Sequence, residues 1–408
     1  MWFYVKLAWR NVFRNKRRTF IAGTAIGVGL ASLIFFDALM VGMKNNMIKS
    51  ATASFLGEAQ IHRENFRLTQ EVEKTINNLN QVVSDLEREG QVERFTLRTK
   101  SFGMITSPAN VSSVILVGVK PQTEKHLSQV NDAIRQGDFF KGENERDIVI
   151  GSELAEVLEV GLGDRVVITV SQAYSGDLSQ DMFRISGIYH FNIKEMDTGF
   201  AFIRLSKSQQ MLGIGRQVHE IAIQFKDIKF ALQDDNPFWA KYSEQGNEAA
   251  SWTTLLPQMK PILGLFWISL LVLAIILFGI VAFGIINTLF MSLYERLFEF
   301  GVMRAVGTRP SGIRRLIIFE AGALSVLSIA LGVVIGFLVT FIITRTGIDY
   351  RGIEFAGTTM YEMLYPVIQI KQYIIYPAAV FLFTVLVGFY PAVVAGKMSI
   401  SDALRKSL

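Results

Sequence analysis

Hydrophobic positions along this chain are gathered into blocks. Residues 19–43, 261–293, 316–344 and 372–396 are each apolar over a length that can cross a bilayer, which takes about 20 residues. The first block carries no charge before Asp37, and Gly23, Gly27 and Ala31 form a stripe of small residues at four-residue spacing that permits close helix approach. Asp37 lies near the far end of that block. A mid-membrane acid costs about 2.5–3.5 kcal/mol on insertion scales; at this depth the cost is smaller, and snorkelling or helix pairing fits better than a proton relay. Past it, Met40, Met43 and Met47 continue one helical face. The second block has no charge between Lys260 and Glu295, a run of about 50 Å as a helix. That exceeds a core of roughly 30 Å, so the helix either tilts strongly or rises from the membrane as a stalk. The third block has Glu320 near its start and Gly332 and Gly336 four residues apart.

Residues 44–258 change pattern and form a separate unit large enough for its own core. Thr69 is placed to cap a helix in which Val72, Ile76, Leu79, Val83 and Leu86 recur at helical spacing. Strand-like runs occupy 58–62, 113–119, 147–150, 165–170, 182–189, 200–205 and 219–225. Strands mixed with helices predict an α+β domain, with two subdomains as one option. Turn-forming residues near 137–146 and 171–181 mark loops, and residues 345–371 form a short polar loop between the last two spans.

The connector 294–315 stands out. Residues 294–306 predict a short helix with Tyr294, Phe298 and Val302 on one face; Gly307 ends it and Pro310 follows. It carries Glu295, Arg296, Glu299, Arg304, Arg309, Arg314 and Arg315, a charged helical hairpin suited to docking. Residues 1–18 lack the order of a signal peptide. As a helix they place Trp2, Val5, Trp9, Val12 and Phe13 on one face and Lys6, Arg10 and Arg14 elsewhere, as an amphipathic interfacial helix does. A plain positive flank to the first span is the alternative.

Charge then sets the topology. The 1–18 flank, the 294–315 connector and the 397–408 tail are rich in Lys and Arg, which places both termini and the connector in the cytoplasm. The 44–258 domain and the 345–371 loop then lie outside. The net charge of +5 and the basic flanks belong to the membrane and give no ground for a nucleic-acid partner.

Candidate chemistry is sparse. The chain has no Cys, so neither a disulfide scaffold nor a thiolate site is open to it. It has no G-x-x-x-x-G-K-[ST] loop, no H-E-x-x-H and no G-x-S-x-G. His62, His126, His190 and His219 are scattered without metal-ligand spacing and read as structural. Asp37 and Glu320, the acids within the spans, both lie near membrane faces, a poor basis for an ion-coupled carrier. No catalytic or metal residue is assigned, and energy is expected from another subunit.

Three stretches resemble one family. LAWRNVFRNKRRTFIAGTAIGVG, ERLFEFGVMRAVGTRPSGIRRLIIFEA and FYPAVVAGKMSISDALR are similar to the FtsX-like permeases of ATP-binding-cassette systems, the group that includes MacB and the lipoprotein-releasing LolC and LolE. Between them, IVIGSELAEVLEVGLGDRVVIT resembles the external domain of MacB-like members. The resemblance implies four transmembrane helices with a large α+β periplasmic domain between the first two, in the bacterial inner membrane. It implies a non-catalytic permease subunit that pairs with a second copy or a paralogue and docks a cytoplasmic ATPase dimer, which holds the ATP and Mg; this chain itself takes no cofactor. By position, Glu295, Arg296, Glu299, Gly301, Arg304, Ala305 and Gly307 would form the coupling element. Family members of this kind act by mechanotransmission, turning ATP-driven closure into movement of the external domains.

The leading functional reading is extraction of lipoprotein or other lipidated cargo from the outer leaflet. Cargo would enter sideways around Phe36, Asp37, Met40, Met43, Leu263 and Phe266, where soft apolar walls accept varied acyl chains. A core stripe against a neighbouring helix is the competing account of the Met face. Two alternatives are an efflux permease with a periplasmic adaptor, as in MacB, and signalling to a cell-wall hydrolase, as in FtsX. A periplasmic adaptor or a lipoprotein carrier is the corresponding external partner, and lipid is a partner throughout.

Overall fold

The structure, a computed structural model, describes residues 2–140, 142–191, 193–350, 354–355, 358–359 and 363–397. It divides into two compact units: Met1–Asn45, Leu263–Asp349 and Met363–Leu408 form the first, Asn46–Ile262 and Tyr350–Glu362 the second. The last residues of the FYPAVVAGKMSISDALR signature, from Met398 on, lie outside the described residues.

The chain starts with helix α1 (Trp2–Arg14) and continues into α2 (Lys16–Ala51). Its second unit carries β1 (Ala59–Arg63), α3 (Phe66–Thr69), α4 (Leu79–Glu87), β2 (Val92–Thr106), β3 (Val111–Val119), α5 (Pro121–Glu124), β4 (Ile134–Gly137) and β5 (Asp147–Gly151). There follow α6 (Ser152–Leu158), β6 (Arg165–Ser171), β7 (Leu178–Tyr189), α7 (Lys194–Gly199), β8 (Phe200–Arg204), α8 (Leu205–Leu212) and β9 (Glu220–Phe225). The unit ends with α9 (Pro237–Tyr242), β10 (Asn247–Ser251) and α10 (Trp252–Leu255). The remaining helices are α11 (Met259–Glu295), α12 (Leu297–Ala305), α13 (Pro310–Thr346) and, beyond a β11 (Glu354–Phe355) to β12 (Thr358–Thr359) hairpin, α14 (Gln372–Lys397). Among the described residues, the helices containing the four apolar blocks are long and apolar enough to cross a membrane.

All seven predicted strand runs are strands, and β2, β4 and β10 add to them. β2 is the longest of the sheet and joins its two parts. Residues 92–98 pair with β9, while 98–106 pair with β3 and 103–106 also with β6. The pairings β2–β3–β8–β5–β7–β6–β2 close on themselves. Ile105, Leu116, Ile150, Ile168, Phe183 and Ile203, one from each strand of that ring, pack in a single core together with Leu154 of α6 and Leu212 of α8. The predicted helix capped by Thr69 does not form. Thr69 ends the one-turn α3, Gln70 and Asn78 take positive φ, and the helix starts only at Leu79. The apolar spacing was met differently: Ile76, Leu79 and Leu86 are buried, but Ile76 reaches the core from a loop that bonds Val218.

Beside this ring lies a buried charge cluster. Arg98, fully buried, donates to both oxygens of Glu124 at 2.6 and 3.0 Å and to Glu220 at 2.8 Å, and its guanidinium sits 3.8 Å from the centre of the Phe55 ring. Burial disfavours the Glu220 charge, but Lys100 and Arg98 outweigh it and hold that carboxyl down at about 2. His62, buried close by, is pushed down to about 4 by desolvation and stays neutral. Its Nε2 lies 3.0 Å from Gln60 Oε1.

In the first unit the small-residue stripe of α2 meets that of α13. A Cβ added at Gly332 would lie 2.6 Å from the Gly27 carbonyl oxygen, and one at Gly336 would lie 3.2 Å from the Ala31 Cα. Ala22, Ile26, Leu30 and Ile34 of α2 share one core with Val281, Ile285 and Leu289 of α11, Leu324 of α13 and Val380 of α14. Gly388 likewise brings α14 onto Ala321 of α13. Gly332→Ile should therefore cost about 1–3 kcal/mol or more through overpacking, read by equilibrium unfolding in mixed micelles. Gly279→Ala, where an added Cβ meets nothing within 4 Å, should leave stability unchanged or raise it.

Candidate coupling site and lateral groove

The predicted connector helix is interrupted at Arg296, where α11 gives way to α12. The interruption has a chemical cause. Arg296 Nη1 donates to Glu320 Oε1 of α13 at 2.6 Å and its Nε to Glu299 Oε2 at 3.0 Å, while the guanidinium stands 5.0 Å from the Phe300 ring centre. Burial opposes the charge, but Glu320 and Glu299 outweigh it and raise the Arg296 pKa. The same clasp takes in the first two helices. Asn11 Nδ2 donates to Glu320 Oε1 at 2.6 Å, Arg14 Nη1 bonds Glu299 Oε1 at 2.6 Å, and Arg18 Nη1 bonds Glu295 Oε2 at 2.7 Å. For Glu299, the pull of Arg14 and Arg296 overrides desolvation and holds the carboxyl below its ordinary range.

Each predicted coupling residue has a definite place. Glu295 closes α11, Arg296 is the break, and Glu299 opens the first turn of α12. Gly301 is buried, and Arg304 Nη1 reaches the Gly396 carbonyl of α14 at 3.4 Å. Ala305 ends α12 and is exposed, and Gly307 follows with φ +101°, exposed and with open space around it. Arg296 and Glu299 are thus brought into one network with Glu320, and Glu295 pairs beside it with Arg18, whereas Arg304, Ala305 and Gly307 lie at the other end of α12. Below α12 an apolar core of Leu293, Phe300, Ile313, Leu316 and Ile317 also holds Ala8 of α1 and Ala392 of α14. Above it Tyr294, Phe298, Val302 and Val306 are exposed.

Asn11, Arg14, Arg18 and Glu320 belong to the clasp and were not assigned to it from sequence. One signal was available: a lone acid just inside a span implies a buried partner, and Arg296 sits where the preceding span ends. The amphipathic α1 presents two faces. Ala8 and Val12 are buried, with Tyr4 and Leu7 in the same core, while Trp2, Trp9 and Phe13 remain exposed.

A second feature lies at the other end of the same unit. A groove of about 400 Å³ is lined by Asp37 of α2, by Trp267, Leu270, Leu271 and Ala274 of α11, and by Lys371, Gln372, Ile375 and Tyr376 at the start of α14. Tyr376 and Asp37 face the same groove. Of the residues proposed to meet cargo, Asp37 lines this groove. Phe36, Met40 and Met43 are half-buried on α2 and do not line it, Met47 is buried, and Leu263 and Phe266 are half-buried near the start of α11 and do not line it either.

His62, His190 and His219 have partners within the fold. His219 accepts from the Lys100 amide at 3.0 Å and lies 2.8 Å from the Val72 carbonyl. Ser152, His190 and Asp197 come together, but Ser152 Oγ at 2.7 Å and Asp197 Oδ2 at 3.4 Å both address His190 Nδ1. A nucleophilic relay needs the acid and the hydroxyl on opposite ring nitrogens, so this grouping does not activate Ser152.

Residues 19–229, more than half of the chain, match the MacB-like periplasmic core domain family, and residues 265–400 match the FtsX-like permease C-terminal family. The chain belongs to the FtsX-like permeases with a MacB-like periplasmic core. It is 20% identical to the lipoprotein-releasing system transmembrane protein LolE of Haemophilus influenzae over 349 residues, covering 83% of this chain and 82% of that protein. With LolC of Xylella fastidiosa it shares 22% over 307 residues, 71% of this chain and 72% of the other. With the ABC transporter permease YtrF of Bacillus subtilis it shares 23%, covering 98% of each. The periplasmic region of MacB from Actinobacillus actinomycetemcomitans aligns with 52% of this chain and 95% of its own length, at 12% identity and a TM-score of 0.35. The FtsX-like permease is thus an ABC transporter permease of LolC/LolE/MacB type, a membrane protein with a periplasmic-type domain. Membership implies an ATPase partner and a paired permease.

The clasp makes a measurable demand on this permease. Arg296→Ala leaves Glu320 buried without its cation and should cost about 3–5 kcal/mol of unfolding free energy. Arg296→Met combined with Glu320→Leu removes both charges and should cost far less. A double variant as unstable as the single one would show that packing, not charge pairing, holds the connector.

Proposed function

We propose that this permease couples a separate cytoplasmic ATPase to the extraction of lipoprotein, or another lipidated cargo, from the outer leaflet of the inner membrane, by mechanotransmission. The carrying observation is the build around α12: its base is tied by ion pairs to α1 and α13, while Phe298 and Val302 of α12, with Tyr294 before it and Val306 after it, stay exposed for a partner. A docking element of this kind moves as one body with the helices it is tied to. A force applied to α12 then reaches α13 through Arg296 and Glu320. In this reading both termini are cytoplasmic and the 44–258 domain is periplasmic. The continuous α11, about 55 Å long, carries the tilt outward. The similarity to LolC and LolE, named for lipoprotein release, supports lipidated cargo; efflux with a periplasmic adaptor and signalling to a cell-wall hydrolase are the alternatives.

The chain alone should hydrolyse no ATP, since it has no phosphate-binding loop. Arg304→Glu reverses a charge on the docking element and should abolish ATPase stimulation or assembly while membrane insertion, read by protease accessibility, stays normal. Full transport by that variant would remove the connector from its central role. Cargo entry has its own test. A photo-cross-linker at position 40 or 43 should capture a lipidated substrate when ATP is absent. Capture of the neighbouring helix alone would make the Met face core packing.

A further inference from the structure

The groove at Asp37 has a composition that side entry of an acyl chain does not explain. Its walls are apolar, from Leu270, Leu271 and Ala274 on one helix and Ile375 on another. Yet it also holds a carboxylate, Asp37, and an ammonium, Lys371. Among the described residues neither makes an ion pair with any side chain. Tyr376 shares the wall of the groove with Asp37 and brings no charge of its own. The amide of Gln372 is spent within its own turn, accepting from the Gln369 amide at 3.0 Å and donating to the Val367 carbonyl at 3.4 Å. Trp267 is two-thirds exposed at the rim, a residue type that settles at the level of lipid headgroups. Two opposite, unpaired charges over an apolar trough match one chemistry: a molecule with a cation and an anion close together at the head of an acyl chain.

We propose that this groove is a binding site for a zwitterionic, amine-bearing phospholipid, its ammonium on Asp37, its phosphate on Lys371 and an acyl chain along Leu270, Leu271 and Ile375. Such a lipid is a resident of the leaflet rather than a cargo, and the site stands whether or not lipoprotein is what the transporter moves. A carboxylate selects the ammonium form of the headgroup and repels a purely anionic lipid, and Lys371 holds either phosphate. A bound lipid also covers apolar wall that would otherwise face the gap between α11 and α14.

The test uses the full-length chain without ATPase or lipoprotein. Purified protein is titrated with phosphatidylethanolamine or phosphatidylglycerol in neutral-detergent micelles, and bound lipid is counted by native mass spectrometry. The wild type should favour phosphatidylethanolamine. Asp37→Asn should weaken that lipid by about tenfold, the size of one charge-assisted hydrogen bond, and leave phosphatidylglycerol unchanged or tighter. Lys371→Gln should weaken both. Location is read separately, from quenching by bromine-labelled phosphatidylethanolamine in wild type against Trp267→Phe; the quenching should drop in the variant, which needs no refolded groove. Equal binding of the two lipids, or a preference that survives Asp37→Asn, would each overturn the proposal.

Discussion

The membrane part of this permease depends on one buried cation. Arg296 directly follows a helix that carries no charge from Pro261 to Tyr294, and it is buried. A guanidinium in that position is tolerated only with its donors filled, and the acceptors come from different helices: Glu320 from α13 and Glu299 from α12. The requirement forces α11 to break there, turns α12 back beneath the membrane helices, and draws α1 in through Asn11 and Arg14. What looks from outside like a surface loop is therefore packed and ion-paired into the helix bundle.

Small residues make the second constraint. Lipid offers no hydrophobic drive to bring helices together, so contact has to come from close backbone approach. α2 and α13 meet along Gly27, Ala31, Gly332 and Gly336, and α14 reaches α13 at Gly388. With α13 central to both contacts, the helix that receives Arg296 is also the one on which the others pack. Charge pairing at one end and glycine packing along its length make α13 the axis of the unit.

The periplasmic-type domain solves a different problem. Its sheet closes a ring of six strands around Ile105, Leu116, Ile150, Ile168, Phe183 and Ile203, and the long β2 runs on past the ring to join β9. Where β2 leaves the ring, Arg98 fills the interior with a triad of charges and an aromatic face instead of an aliphatic side chain. All of its partners, Glu124, Glu220 and Phe55, come from other parts of the chain, so the cluster fixes how those segments register.

Much of this was legible in the residue order because it is local chemistry. Four apolar helices, a short helix in the connector, the small-residue stripes and seven strands follow from hydrophobic period and turn residues, which act over a few positions. β2 was not legible, because VERFTLRTKSFGMIT interleaves charges whose burial depends on distant partners. The Thr69 helix failed for the same reason in reverse: its apolar spacing was real, but Val218 and the sheet beyond claimed Ile76 from a loop. At the connector the sequence marked Glu295, Arg296 and Glu299 by their charge and position. That Asn11, Arg14, Arg18 and Glu320 complete the clasp, and that Asp37 and Lys371 share one groove, is a matter of which helices touch. Pairing between residues hundreds of positions apart leaves no period in the chain, so only tertiary packing could decide it.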